Sequence, residues 1–268
     1  MDADWEGLTR EQRKRLSHRV DVVEKRDRFI IKDRSLEQMA LEEVFDKTTL
    51  MTVYKILDKG IIGQLHGAIS AGKESKIYWG RNPSGRELAV KIYLTTTAEF
   101  RRGMMMYIEG DARFKRVKHG RKPMIYAWAL KEFKNLDRAF KAGVNVPEPM
   151  HVEKNVLIMS FVGDNGNPAP LLRDVELENP SETYREIMAQ VRDLWKKARL
   201  VHGDLSEFNI MVWDGKTVIF DVSQSVLTDS RLSPKLLERD IINLNKFFTK
   251  QGVETLDTQE AIRWIQDG

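Results

Sequence analysis

Asp204 and Asn209 stand five positions apart in the segment Leu200-Val201-His202-Gly203-Asp204-Leu205-Ser206-Glu207-Phe208-Asn209-Ile210. A short way downstream the run Thr217-Val218-Ile219-Phe220 ends in a second acid, Asp221. Phosphoryl transfer needs this order of groups. One carboxylate, Asp204, can orient an attacking hydroxyl or accept its proton. The carboxamide of Asn209 and the carboxylate of Asp221 are hard oxygen donors suited to a divalent cation. A polar turn closing a hairpin also uses Asp and Asn, so the rest of the chain has to decide.

Upstream, Lys91 interrupts the apolar run Leu88-Ala89-Val90-Lys91-Ile92-Tyr93. A lysine inside such a strand needs an anionic partner to offset its desolvation. Triphosphate oxygens together with a carboxylate would serve, and Glu132 is the candidate carboxylate. The plainer alternative is a lysine whose head reaches solvent. The stretch Ser70-Ala71-Gly72-Lys73-Glu74-Ser75 joins two predicted strands. Gly72 is expected to permit a turn that a side chain would block, with N–H groups and hydroxyls facing phosphate.

These residues need a scaffold. Strands are predicted at 66–70, 75–79 and 88–93, with Asn82-Pro83-Ser84-Gly85 as a turn. Over 125–142, Tyr126, Ala129, Leu130, Phe133, Leu136 and Phe140 recur on one helical face, closed by Gly143. Short strands follow near 150–153 and 156–159. After Ser160-Phe161-Val162-Gly163 the pattern turns helical, with Tyr184, Ile187, Met188, Val191, Leu194 and Trp195 as a stripe. Asp214-Gly215 reads as a tight hairpin turn. Ser233-Pro234 reads as a helix start before Leu237, Ile241, Leu244 and Phe248, and a last helix begins near Thr258. Toward the start, the densely charged stretch 8–34 is expected to hold a solvated helix followed by a short strand at 28–31. A second helix is capped by Ser35, and a third is capped by Thr49 and stopped at Gly60.

The pattern His-x-Asp-x-x-x-x-Asn, then a strand and Asp, resembles the catalytic and metal loops of protein kinases. Gly203 stands where those have Arg, and Asp221-Val222-Ser223 where they have Asp-Phe-Gly. His-Gly-Asp-Leu-Ser-x-x-Asn with Asp-Val-Ser-Gln is similar to the RIO family of atypical kinases, most closely its Rio1 branch. In that family Ser-x-Gly-Lys-Glu-[Ala/Ser] replaces the glycine-rich loop, and Ser70 to Ser75 is similar.

The resemblance implies an α+β, bilobal protein-kinase-like fold with a truncated C-terminal lobe. The expected parts are an N-terminal helical extension (1–60), a small lobe (61–162) and the remainder (163–268). It implies ATP and Mg²⁺ (or Mn²⁺), with Lys91 on the phosphates and paired with Glu132, Asp204 as base, and Asn209 and Asp221 on the metal. Met159, Ser160 and Phe161 would form the hinge beside adenine, with Ile69, Ile77 and Ala89 as walls. His202 would brace the loop backbone. About 47 residues follow Asp221, with no Ala-Pro-Glu, so a peptide platform is not expected. Transfer to a Ser hydroxyl, or to Asp221 and then water, are both open. The rival readings are an aminoglycoside- or choline-type phosphotransferase and a non-catalytic, nucleotide-gated assembly factor.

Composition agrees. The chain has 268 residues, 41% of them hydrophobic, and no Cys, which excludes disulfides, thiolate metals and Cys nucleophiles. Its start resembles no secretory signal and no apolar run approaches a membrane span, so a cytoplasmic protein is expected. The net charge is +4, unevenly spread. Between Thr95 and Pro123, a long connection, lie Arg101, Arg102, Arg113, Lys115, Arg116, Lys118, Arg121 and Lys122. RIO proteins carry a flexible loop here and work in small-ribosomal-subunit maturation, which implies ribosomal RNA as a partner for 95–123.

Overall fold

The computed structural model describes residues 45–94, 98–108, 111–114 and 120–267. The elements expected before residue 45, including the helix capped by Ser35, lie outside the described residues. So do Lys115, Arg116 and Lys118 and the side chains of Arg101, Arg102 and Arg121.

A helix, α1 (Lys47–Asp58), leads into β1 (Gln64–Ala71), β2 (Ser75–Arg81) and β3 (Glu87–Tyr93). After α2 (Ala98–Ile108) and the long α3 (Arg121–Lys141) come β4 (Pro149–Glu153) and β5 (Val156–Ser160). The five strands form an antiparallel sheet in the order β1-β2-β3-β5-β4. Side chains alternate across it. Tyr78, Leu88, Val90, Ile92, Val156 and Ile158 point to the side where α1 packs with Val53 and Ile56. Ala89, Leu157 and Met159 point the other way, into a core shared with Leu205, Ile210, Ile219 and Val222. Lys91 sits in this second row, opposite Ile77 on β2 and Leu157 on β5. One residue of register slip would turn it to the α1 side.

Beyond the small hairpin of β6 (Gly163–Asp164) and β7 (Asn167–Pro168), the chain is mostly helical. Helix α4 (Pro180–Asp193) buries Tyr184, Ile187, Met188 and Val191, and α5 (Ser233–Lys250) buries Leu237, Ile241, Leu244 and Phe248. Helix α6 (Thr258–Gln266) closes the described chain. Between α4 and α5 lie β8 (Leu200–Val201), β9 (Ile210–Trp213), β10 (Lys216–Ile219) and β11 (Val226–Leu227). Asp214 (φ 50) and Gly215 (φ 69) make the β9–β10 hairpin turn with two positive dihedrals.

Three local expectations are corrected. The cap of α1 is Asp46, whose Oδ1 accepts from the Thr49 N–H at 2.9 Å, and Thr49 is buried. Ser233 is the first residue of α5, and Leu232 occupies the cap position. The stretch after Thr95 contains a helix, α2, because Met104 and Ile108 recur at helical spacing and bury against Trp128 and Ile125 of α3.

Helix α3 is the larger surprise. It starts at Arg121, and Leu130 and Phe140, expected on its buried face, are exposed at 36% and 44%. Lys131, Glu132 and Asn135 are fully or almost fully buried instead, at 0%, 1% and 0% exposed. The helix turns a polar strip inward beside Ala129 and Leu136, which are buried as expected, so an apolar pattern alone misses the polar part of the inward face.

Candidate active site

Lys91 is the centre of the arrangement. Its Nζ donates to Glu132 Oε1 at 2.8 Å and to Asp221 Oδ1 at 3.0 Å. Burial alone would push the lysine toward neutrality, but Asp221 and Glu132 outweigh it and hold it protonated well above the ordinary range. The second oxygen of Glu132 accepts from the Tyr93 hydroxyl, so the carboxylate is held from two sides. Burial pushes Glu132 up, and Lys91 only partly offsets this, because one lysine serves two acids.

Asp221 ends the strand run in a left-handed conformation (φ 56, ψ 56), an uncommon state for a residue with a side chain. Burial pushes its carboxyl up, but Lys91 and the Ser223 hydroxyl, 2.9 Å away, outweigh burial and hold it below the ordinary value. It is enclosed by these partners, yet 42% of its side chain remains open.

Asp204 is shaped by its backbone. Asp240 of α5 accepts from the N–H groups of Gly203 and Leu205, both at 2.8 Å. Arg239 donates to the Gly203 carbonyl, and Asn243 to that of Leu205 at 3.1 Å. Gly203 has φ +82, and an added Cβ would lie 3.2 Å from the Gln224 carbonyl. Arg, the residue of other kinase loops, would be strained at this backbone conformation. His202 is buried and its Nε2–H donates to the Phe220 carbonyl at 3.0 Å; burial keeps it neutral, a bracing role. Burial raises the Asp204 carboxyl, Arg239 opposes this, and Asp221 adds to it. Gln224 Nε2 lies 3.2 Å from Asp204 Oδ2. Asn209 Nδ2 donates to the Asp204 carbonyl at 2.7 Å, which leaves its own oxygen to meet a ligand.

The β1–β2 turn brings Glu74 to the same place: burial raises its carboxyl, then Asp221 and Asp204 add to the shift while Lys91 lowers it. Gly72 corrects an expectation. Its φ lies outside the left-handed region, and an added Cβ would meet Ser75 O at 3.4 Å, an ordinary contact. The turn itself does not require glycine. Ser70 pairs with Ile77, and Ser75 with Tyr93, while Lys73 is exposed at the tip. Ile69 falls at an irregularity of β1, between Ala68 and Ser70.

Ala89 pairs with Met159 on the same sheet face as Lys91. The N–H of Ser160 donates to Glu148 O at 2.9 Å and that of Phe161 to Glu87 O at 3.3 Å. These two donors are committed within the protein, so a base could meet this stretch only through its other groups.

Among the described residues, carboxylates outnumber cations here: Glu74, Glu132, Asp204 and Asp221 interact with Lys91 and Arg239. Among the described residues no group of three or more His, Asp or Glu could by itself hold a metal ion. Two open oxygens, on Asp221 and Asn209, fit a Mg²⁺ that keeps waters and takes its other ligands from a phosphate. Tyr93, Arg239, Asp240 and Lys131 carry no signal in the sequence, where each reads as an ordinary strand or helix residue, and Gln224 reads only as the last residue of the Asp-Val-Ser-Gln motif.

A RIO domain family model matches residues 76–261. The chain is 38% identical over 229 residues to the RIO-type serine/threonine-protein kinase Rio1 of Haloferax volcanii, covering 85% of this chain and 78% of that one. It is 39% identical over 235 residues to the protein of the same name from Methanocaldococcus jannaschii, covering 87% and 78%. Against human serine/threonine-protein kinase RIO1 it is 37% identical over 245 residues, spanning 90% of this chain but 43% of the human one. Among solved structures, the Rio2 kinase–ADP/Mg²⁺–phosphoaspartate complex from Chaetomium thermophilum superposes with a TM-score of 0.61 at 23% identity. That superposition covers 81% of this chain and 66% of the other, and it shows the protein-kinase-like fold. With its polar strip, its His-Gly-Asp loop and these matches, the chain belongs to the RIO domain family, in its Rio1 branch.

Proposed function

We propose that this RIO1-like ATP-dependent phosphotransferase moves the γ-phosphoryl group first to Asp221 and then to water, with a Ser hydroxyl as the competing acceptor. The observation that carries the reading is the contact of Lys91 with both Glu132 and Asp221. Residues 61–162 act as the small lobe and 163–268 as the large one, with 1–60 as an extension. Lys91 binds the α- and β-phosphates. Ser70, Lys73 and Ser75 line the phosphate turn, and Gly72 leaves room for close approach. Ile69, Ile77, Ala89 and Met159 enclose the base, with the carbonyls of Ser160 and Phe161 at its edge. Asn209 and Asp221 would hold Mg²⁺, or Mn²⁺ in its place. When bound, the ion neutralises charge on the phosphate oxygens.

In the transfer, a carboxylate oxygen of Asp221 bonds to the γ-phosphorus as the bond to the β–γ bridging oxygen breaks and ADP leaves. Water then cleaves the acyl phosphate, and Asp204 takes its proton. The Rio2 relative captured with phosphoaspartate supports this order. Incubation with γ-labelled ATP and Mg²⁺ should give acid-stable, hydroxylamine-labile label that disappears in Asp221→Asn. Label that survives hydroxylamine and maps to Ser would favour the ordinary kinase route.

The same reading places the protein in the cytoplasm, in small-subunit maturation, with the basic stretch on ribosomal RNA. Arg113 drops out of that set, because its guanidinium is paired with Asp111 at 2.6 Å. Replacing Lys115, Arg116 and Lys118 with Ser should weaken binding to small-subunit RNA fragments and flatten its salt dependence. The log–log slope should shrink by about 0.7–0.9 for each phosphate no longer neutralised. Equal binding at every salt concentration would remove the stretch from the interface.

A further inference from the structure

Lys131 is fully buried, and its Nζ is held by backbone carbonyls rather than by a carboxylate. The ammonium donates to the Ser223 carbonyl at 2.8 Å and to the Ser225 carbonyl. The rings of Trp128 and Tyr107 lie 5.2 and 5.9 Å from it. One helical turn on, Asn135 Nδ2 donates to the Val222 carbonyl at 2.8 Å and to that of Ser225 at 3.2 Å. The segment they grip is the short 3-10 turn Val222–Gln224 that directly follows Asp221.

Filling space does not account for a lysine here. Burial pushes it down to about 7, Arg113 adds to that, and Asp111 and Glu132 oppose it. A methionine would fill the same volume without that desolvation cost. What the ammonium adds is two donors for two buried carbonyls. Its neighbour on the helix, Glu132, holds Lys91. One stretch of α3 therefore sets both ends of the Lys91–Asp221 contact, through Glu132 on one side and through the 222–225 backbone on the other.

We propose that Lys131 is a positioning residue that aims the Asp221 carboxylate by clamping the carbonyls of Ser223 and Ser225 to α3. This rests on the reading that Asp221 serves the metal and the phosphoryl group.

The test uses the whole chain carrying Lys131→Met. The variant should fold, and amide exchange over 222–227 should rise by about tenfold or more while β9 and β10 keep their protection. Turnover should fall by about tenfold or more, and the Mg²⁺ concentration for half-maximal rate should rise. Affinity for ATP without metal should change by less than about threefold. A folded variant with unchanged exchange, or with turnover and Mg²⁺ dependence within about twofold of the parent, overturns the proposal. If Lys131→Met does not fold, Asn135→Leu decides. It keeps the lysine, removes the second donor and should show the same split in smaller measure; unchanged exchange and turnover there overturn the clamp. A parent without metal-dependent phosphotransfer would refute the proposed function, while the exchange result would still report on the clamp.

Discussion

Asp204→Ala should lower turnover about a thousandfold while ATP affinity stays within a few fold. The loop around Asp204 does not depend on its carboxylate. Asp240 holds the Gly203 and Leu205 N–H groups, His202 is tied to Phe220, and Asn209 grips the Asp204 backbone carbonyl. The side chain itself is 47% exposed and, among the described residues, meets Gln224 at 3.2 Å and Arg239 at 3.7 Å. Its loss therefore removes chemistry and leaves structure. If water attacks a phosphorylated Asp221, the variant should also retain label after one turnover, because the group that takes the water's proton is gone. The pH profile gives a second readout. Burial raises the Asp204 carboxyl above its ordinary 3.8, so the base is lost as pH falls through that raised value. The acid limb of the rate should accordingly lie above pH 3.8 in the parent and be absent from Asp204→Asn. Parallel calorimetry and turnover measurements check this, and turnover within about tenfold of the parent would place the base elsewhere.

Lys91→Met should weaken ATP binding by about tenfold or more and also destabilise the fold. Removing one partner of a buried charge pair typically costs about 3–5 kcal/mol. The cost here falls toward the low end, since Glu132 is already biased toward taking up a proton and Asp221 is 42% open to solvent. About 3 kcal/mol corresponds to roughly 6–12 °C in melting temperature for a domain of this size. Adding Glu132→Gln to Lys91→Met should recover much of that loss, because the orphaned acid is gone. It should recover none of the nucleotide affinity. Thermal melts and titration calorimetry on the two variants separate the two contributions. Undiminished ATP affinity in folded Lys91→Met would remove the lysine from the phosphate site.

Much of this protein is legible from local pattern. The antiparallel strands, the β9–β10 turn at Asp214-Gly215 and the apolar stripes of α4 and α5 follow from side-chain period and turn chemistry. Asp204, Asn209 and Asp221 are close in sequence, so their order survives as a readable text, and Lys91 stands out as a charge in an apolar strand. Helix α3 shows where that reading stops. Ala129 and Leu136 are buried as expected, but Leu130 and Phe140 are exposed, and Lys131, Glu132 and Asn135 are buried with no apolar signal to announce them. These buried groups meet partners 39 to 94 positions away in the chain, Tyr93, Lys91 and the backbone of residues 222–225. Hydrophobic period measures transfer of side chains from water. It carries no information about a carbonyl or an ammonium that the fold will later deliver. The order of the candidate groups was therefore readable in the sequence, because Asp204, Asn209 and Asp221 are close there. How these groups are held was decided only in the tertiary structure, where the polar strip of one helix compensates charges and carbonyls gathered from distant segments.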